Sequence, residues 1–224
     1  MPTRRPSSTA ETPDLRQRIL DTSRALLESD GVAGLSMREV ARRAGVTHQA
    51  PYHHFGDRES ILAELVSRGF EDLARRLAEA NDILARAGQR DTLIASCAAY
   101  VGFAIEQPGV FRIMFRPDMC DPARFPAARA AGERAHAELH RLVRLIHGDA
   151  ASDTLASVYW AHVHGLACLI VDGPLGLQWP EREDRMRLVA AAGRQFADFV
   201  LAPHNPRETA AISYHPQSTL SKGE

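Results

Sequence analysis

The chain has 224 residues, of which 45% are hydrophobic and 25% charged, enough apolar material for a packed core and too much for a disordered chain. A formal net charge of −1 decides nothing about nucleic acid, except that any surface for it must be a local patch. Cys97, Cys120 and Cys168 are widely spaced and odd in number, so they read as reduced cytosolic thiols and exclude a disulfide frame.

The polar start MPTRRPSSTAETP lacks a signal-peptide core, and no run approaches about eighteen uninterrupted apolar residues. The expected location is the cytoplasm, with no membrane contact. Residues 1–13 and 203–224, rich in Pro, Ser and Thr, are expected to be a disordered arm and a flexible tail. Lys222 is the only lysine among 27 basic residues. Arginine suits bidentate phosphate or carboxylate contacts, although compositional bias of the genome explains the excess equally well.

Leu15, Ile19, Thr22 and Leu26 step by four, three and four, which predicts a helix over about 14–29 that SDGVAG ends. Two short helices follow within 36–55. A long helix then runs from about Arg58 to Ala87, marked by Ile61, Leu62, Leu65, Phe70, Leu73, Leu77 and Leu84. Another spans Leu93 to Glu106 and stops at Pro108. GVFRIMF reads as a turn and RPDMCDPARFP as a loop. Helices over about 127–147, 152–171 and 181–201 complete an all-α chain of about nine helices, without repeats or strand alternation.

The stretch SMREVARRAGVTHQAPYHHF, residues 36 to 55, is dense with signals. Ser36 and Glu39 have the spacing of a capping box. Val40 and Ala44 face inward, whereas Arg38, Arg42 and Arg43 point out. Gly45 makes the turn, Val46 plugs the core, and Thr47 is placed to cap the next helix. With that cap, Pro51 is the fourth helical residue and forfeits at most the first bond of the ladder. Helix, glycine turn, helix is the helix-turn-helix pattern. Four arginines, Arg38, Arg42, Arg43 and Arg58, oppose only Glu39 and Asp57 between residues 36 and 58, so the window is locally positive. Such motifs also occur in helical bundles that touch no DNA.

LSMREVARRAGVTHQAPYHHFGDRESILAEL resembles the N-terminal domain of TetR-family transcriptional regulators over roughly residues 14 to 70. Arg58 stands where a lysine is usual, and Gly56 and Pro51 are mild departures. The resemblance implies that Thr47, His48, Gln49 and Ala50 present the leading end of a recognition helix to base edges, with His48 and Gln49 as the principal readers. It implies that Tyr52, His54 and Arg58 hold phosphates, that Arg38 approaches the backbone or groove edge, and that His53 does either. YVGFAIEQPGVFRIMF and VYWAHVHGLACLIV resemble the subgroup with a Trp…His-Gly ligand domain, here Trp160, His164 and Gly165. The implied layout is a helix-turn-helix DNA-binding domain over 14–60 and an effector-binding and dimerisation domain over 61–202. The implied partners are a double-stranded DNA operator, a second copy docked through the last two long helices, and an unidentified small-molecule effector.

The helix over 152–171 carries one apolar stripe of Tyr159, Val163, Leu166 and Ile170 and a second of Trp160, His164, Ala167 and Val171, so it needs cover on more than one side. Met186, Val189, Gly193 and Phe196 line the final helix, and a paired bundle would bury both. Phe103, Phe111, Met114, Phe115, Tyr159, Trp160, His164 and Cys168 are the candidates for a ligand pocket, although residues of these types at helical spacing are also ordinary core. His136 and His140 have metal-chelating spacing beside Glu133, but no second cluster accompanies them, and a solvated face is the expectation, with no metal and no cofactor. There is no nucleophile elbow, phosphate loop or paired-carboxylate constellation, so an enzyme is not expected.

Overall fold

A computed structural model describes residues 15–202; the arm and tail expected at the two ends lie outside the described residues. The described residues form ten α-helices and no strand. Helix α1 (Leu15–Gly34) buries Ile19, Leu20, Ser23, Leu26 and Leu27. Its inner stripe therefore passes through Ser23, whose hydroxyl donates to the Ile19 carbonyl at 2.8 Å, and not through Thr22. Gly31, at φ 66°, breaks the helix where SDGVAG was expected to end it.

Helix α2 (Met37–Ala44) starts at Ser36, whose hydroxyl accepts the Glu39 amide at 3.2 Å. Only that half of the capping box forms. The Glu39 carboxylate turns instead to Arg42 and Arg43, and those two guanidinium groups hold its pKa down at about 2. Gly45 closes α2 in the left-handed conformation, φ 65°, which a side chain would strain.

Helix α3 (Ala50–Phe55) corrects the expected cap. Gln49, not Thr47, precedes the first helical residue, and residues 47–50 form a turn in which the Ala50 amide donates to the Thr47 carbonyl at 3.0 Å. Pro51 is thus the second helical residue, where its missing N–H has no partner to lose. It is buried, so it anchors the helix against the core.

Helix α4 (Arg58–Asn81) is capped by Asp57, which accepts the Ser60 amide at 2.7 Å. It ends earlier than the apolar pattern suggested. Leu84 belongs to α5 (Leu84–Glu106), which has its own break at Gly88, φ 79°. GVFRIMF is a helix and not a turn. In α6 (Pro108–Met114) the proline occupies the first helical position and Gly109, Val110, Phe111, Ile113 and Met114 are all buried. Helix α7 (Pro126–His147) again opens on proline, followed by a 3-10 turn at Gly148–Ala150. Helix α8 (Asp153–Val171), the short α9 (Pro174–Gln178) and α10 (Arg182–Leu201) complete the chain.

Helix α4 packs along α7 and α5, and α10 lies on α5. Gly193 makes that last approach close, since a Cβ there would sit 3.4 Å from the Cys97 Cβ and 3.5 Å from the Ile94 Cα. This small residue thus serves a close helix approach inside the chain. One apolar core, including Leu26, Leu62, Phe103 and Ile113, runs from α1 through α6 and takes in Ala135 of α7, Ile170 of α8 and Val189 of α10. A smaller one, of Leu93, Leu142, Val143, Ile146, Ala156, Tyr159 and Ala197, closes the far end.

Candidate functional site

Two regions stand out, and α4 joins them. The first is the leading end of α3. Thr47, His48 and Gln49 are exposed, Ala50 is half-buried, and Tyr52 and His53 are exposed one turn later. The His48 and Tyr52 rings lie 5.7 Å apart and form one face, and His54 is half-buried beside His53 at 5.5 Å. Pro51 points inward, and Phe55 lies under the Arg16 guanidinium, 4.8 Å from its carbon. The result is a short helix with polar tips outward and its apolar side pinned, the arrangement that base-edge reading requires. Arg38 is exposed on α2.

Three of the four arginines counted as local positive charge are engaged inside the chain. Arg42 and Arg43 both bond Glu39, and Arg43 also reaches Asp30 at 2.6 Å. The Arg58 Nε donates to the Leu35 carbonyl at 2.6 Å and one of its terminal nitrogens donates to the Val32 carbonyl at 2.5 Å. Arg58 therefore caps the frayed end of α1 and ties it to α4. The sequence assigns this guanidinium to a phosphate, and its hydrogen bonds here go to the backbone.

The second region is a partly open cavity of about 230 Å³ between the two apolar cores, walled by α4, α5, α7, α8 and α10. Of the expected lining residues, Phe115, Tyr159 and Trp160 border it. Phe103, Phe111 and Met114 do not line it and are buried in the main core. His164 and Cys168 also lie outside the lining, both half-buried. His164 acts from behind the wall. Its Nδ1 is 2.9 Å from the Tyr100 hydroxyl, which also accepts the Trp160 indole N–H at 3.3 Å. The Tyr100 O–H therefore donates to a neutral His164, whose pKa burial holds below the ordinary imidazole value.

Several lining residues carried no signal that was taken up in the sequence. Phe70, Tyr100 and Phe196 add aromatic surface. Ser96 donates to the Asn81 side-chain carbonyl at 2.7 Å, and Asn81 donates on to the Glu138 carboxylate at 3.0 Å. Two buried polar residues on otherwise apolar helix faces are the clue that could have found this relay. His136, read as part of a solvated face, borders the cavity with its ring 4.5 Å from His140. Among the described residues no three metal-ligating side chains cluster. Cys97 borders the cavity as a buried thiol, its pKa pushed up to about 11 by desolvation.

The family model for bacterial regulatory proteins of the tetR family matches residues 19–65, and the model for the tetracyclin repressor-like C-terminal domain matches residues 93–193. The chain belongs to the TetR family. Among curated relatives, the HTH-type transcriptional regulator Rv1816 of Mycobacterium tuberculosis (strain ATCC 25618 / H37Rv) is 29% identical over 101 residues, 45% of this chain and 43% of that protein. The match thus spans less than half the length of that relative. A solved protein of unknown function from Rhodococcus sp. RHA1 superposes with a TM-score of 0.70 at 29% identity, over 86% of this chain and 98% of the other. The TetR-family regulator PfmR from Thermus thermophilus shares the fold, with a TM-score of 0.61 at 20% identity over 82% and 97%. The matched N-terminal family model and the curated relative are both of regulatory proteins.

Proposed function

We propose that this TetR-family protein is a ligand-responsive repressor. A homodimer reads a palindromic operator and leaves it when a small molecule fills the cavity. One observation carries the reading: α4 begins at Arg58, three residues after α3 ends at Phe55, and supplies Phe70, Leu73, Leu77 and Asn81 to the cavity wall. A shift of α4 that accommodates a ligand also moves the reading helix. The ligand lowers operator affinity by as much as it prefers the shifted state.

In this reading His48 and Gln49 contact bases, Thr47 and Ala50 sit at the base edges, and Tyr52, His53, His54 and Arg38 hold the backbone. The division into a reading domain over 14–60 and an effector domain over 61–202 is supported by the two separate family matches. Placement in the Trp…His-Gly subgroup is supported by the Trp160–Tyr100–His164 hydrogen bonds behind the cavity.

The second copy docks on α8 and α10. Helix α8 is the one helix among the described residues long and apolar enough to cross a bilayer, yet only 22% of its most apolar stretch is buried within the chain. Val158 and Leu169 are exposed on it, and Phe199 on α10 is 76% exposed. Exposed apolar residues on two helices that meet where His162 stacks on Phe196 suit closure by a twofold copy into a four-helix bundle. A cytoplasmic location follows from the DNA partner.

The test is binding to a selected operator and to random duplex across a salt series. The expected result is a specificity ratio of about a thousandfold or more that persists with salt. Uniform affinity that falls steeply with salt would instead mark an architectural DNA protein.

A further inference from the structure

Six aromatic rings, Phe70, Tyr100, Phe115, Tyr159, Trp160 and Phe196, border the cavity, and among the described residues no arginine or lysine does. Its one carboxylate is Glu138. Oε2 of that carboxylate accepts from Asn81 at 3.0 Å and from Arg141 at 3.1 Å, while no hydrogen bond among the described residues reaches Oε1. Arg141 does not neutralise Glu138 alone, because its other terminal nitrogen bonds Asp82 at 2.5 Å. One guanidinium shared by two carboxylates leaves a surplus negative charge at the cavity edge. Asn81, 2% exposed and held by Ser96, donates to both the Glu138 carboxylate and, at 3.1 Å, the Glu138 backbone carbonyl, which fixes that residue at the cavity edge.

We propose that the cavity takes a small apolar organic cation, its ammonium group at Glu138 Oε1 and its apolar body among the aromatic rings. Ring faces attract a positive charge, and a wall without arginine or lysine leaves an anionic ligand only the His136 imidazole and neutral hydroxyls to meet. Size narrows the class. Scaled from a cavity of about 150 Å³ that holds benzene, this one holds roughly nine heavy atoms, the size of an arylethylammonium ion. The inference rests on the cavity being the effector site, and names the chemistry it selects.

The probes are 2-phenylethylammonium, 2-phenylethanol and phenylacetate, matched in shape and differing in charge, titrated calorimetrically into the full-length protein at neutral pH. The ammonium ion is expected to bind about tenfold more tightly than the alcohol, and phenylacetate most weakly. Glu138→Gln is expected to bring the ammonium ion down to the alcohol's affinity while leaving the alcohol unchanged, which also shows the cavity intact. The wild-type ranking decides the matter even if the variant fails to fold. Equal or tighter binding of the alcohol or the anion, an ammonium preference that survives in a folded Glu138→Gln, or no binding by any probe would overturn the proposal. Operator affinity measured on the same samples separates the two readings. Ammonium binding without operator release would remove the effector role and leave the ligand class standing. Release by phenylacetate alone would do the reverse.

Discussion

The Glu28 carboxylate in α1 accepts the Gly109 amide of α6 at 2.6 Å and the Val110 amide at 3.2 Å. A side chain of the helix-turn-helix half thus caps the helix that leads, through the residue after it, Phe115, into the cavity wall. The approach is tight enough to require glycine, since a Cβ on Gly109 would lie 2.7 Å from the Leu27 carbonyl oxygen. Together with α4, this contact gives a ligand a second route to the reading head.

Glu28→Ala leaves two helix-terminal amides without their acceptor and is expected to cost about 1–2 kcal/mol in urea unfolding. In the proposed mechanism it also shrinks the ratio of operator affinities measured without and with ligand. Gly109→Ala overfills the same contact and is expected to cost about 1–3 kcal/mol. A ratio untouched by Glu28→Ala would remove this contact from the signalling route.

Arg58 offers a sharper choice. Its two backbone bonds make it a strut between α1 and α4, so Arg58→Ala is expected to lower stability by about 1–3 kcal/mol and to leave the salt dependence of DNA binding unchanged. If the guanidinium instead neutralises a phosphate, the slope of log affinity against log salt falls by about one. Thermal unfolding and a salt titration of the same variant separate the two roles.

For base reading, the exposed pair His48 and Gln49 carries the expectation. His48→Ala and Gln49→Ala should each relax preference at one operator position by about 1–3 kcal/mol. Measurement against single-base operator variants checks this, and a preference profile unchanged in both variants would remove them as readers.

Acid sensitivity follows from the buried imidazoles. Burial holds the pKa values of His147, His162 and His164 below the ordinary value of 6.5. Above that value both states are neutral and the full stability is present. As pH falls below it the unfolded chain takes up protons that the folded chain refuses, so stability drops until the folded pKa values are reached. His162 is stacked on Phe196 with ring centroids 4.1 Å apart, and its Nε2 has no hydrogen-bond partner. His162→Phe is expected to raise the melting temperature more at pH 5.5 than at pH 7.5, and an equal gain at both would disconnect His162 from the acid loss.

Much of the reading half was legible in the sequence because its signals are local. Ser36, Gly45 and Pro51 act through the backbone within a few residues, and His48 and Gln49 are exposed in the turn that leads into α3. The Thr47 cap failed for an equally local reason: residues 47–50 form a turn before the helix begins, which shifts the cap to Gln49. The strut made by Arg58 was not legible, because its acceptors, Val32 and Leu35, lie at the far end of α1 beyond the break at Gly31. The cavity was half legible. Phe115, Tyr159 and Trp160 were found as aromatics at helical spacing, and Phe103 and Phe111 share that spacing while facing the core. Which of two apolar faces meets empty space depends on how five helices assemble. Periodicity within one helix does not contain that information.

Selection of bound duplexes from a random library by the full-length protein, followed by sequencing, tests the central claim most directly. The expected product is an inverted repeat whose half-site centres lie about 34–36 Å apart, one helical turn, as a twofold pair of α3 helices demands. Enrichment of a single unrepeated site, or no enrichment over random sequence, would contradict it.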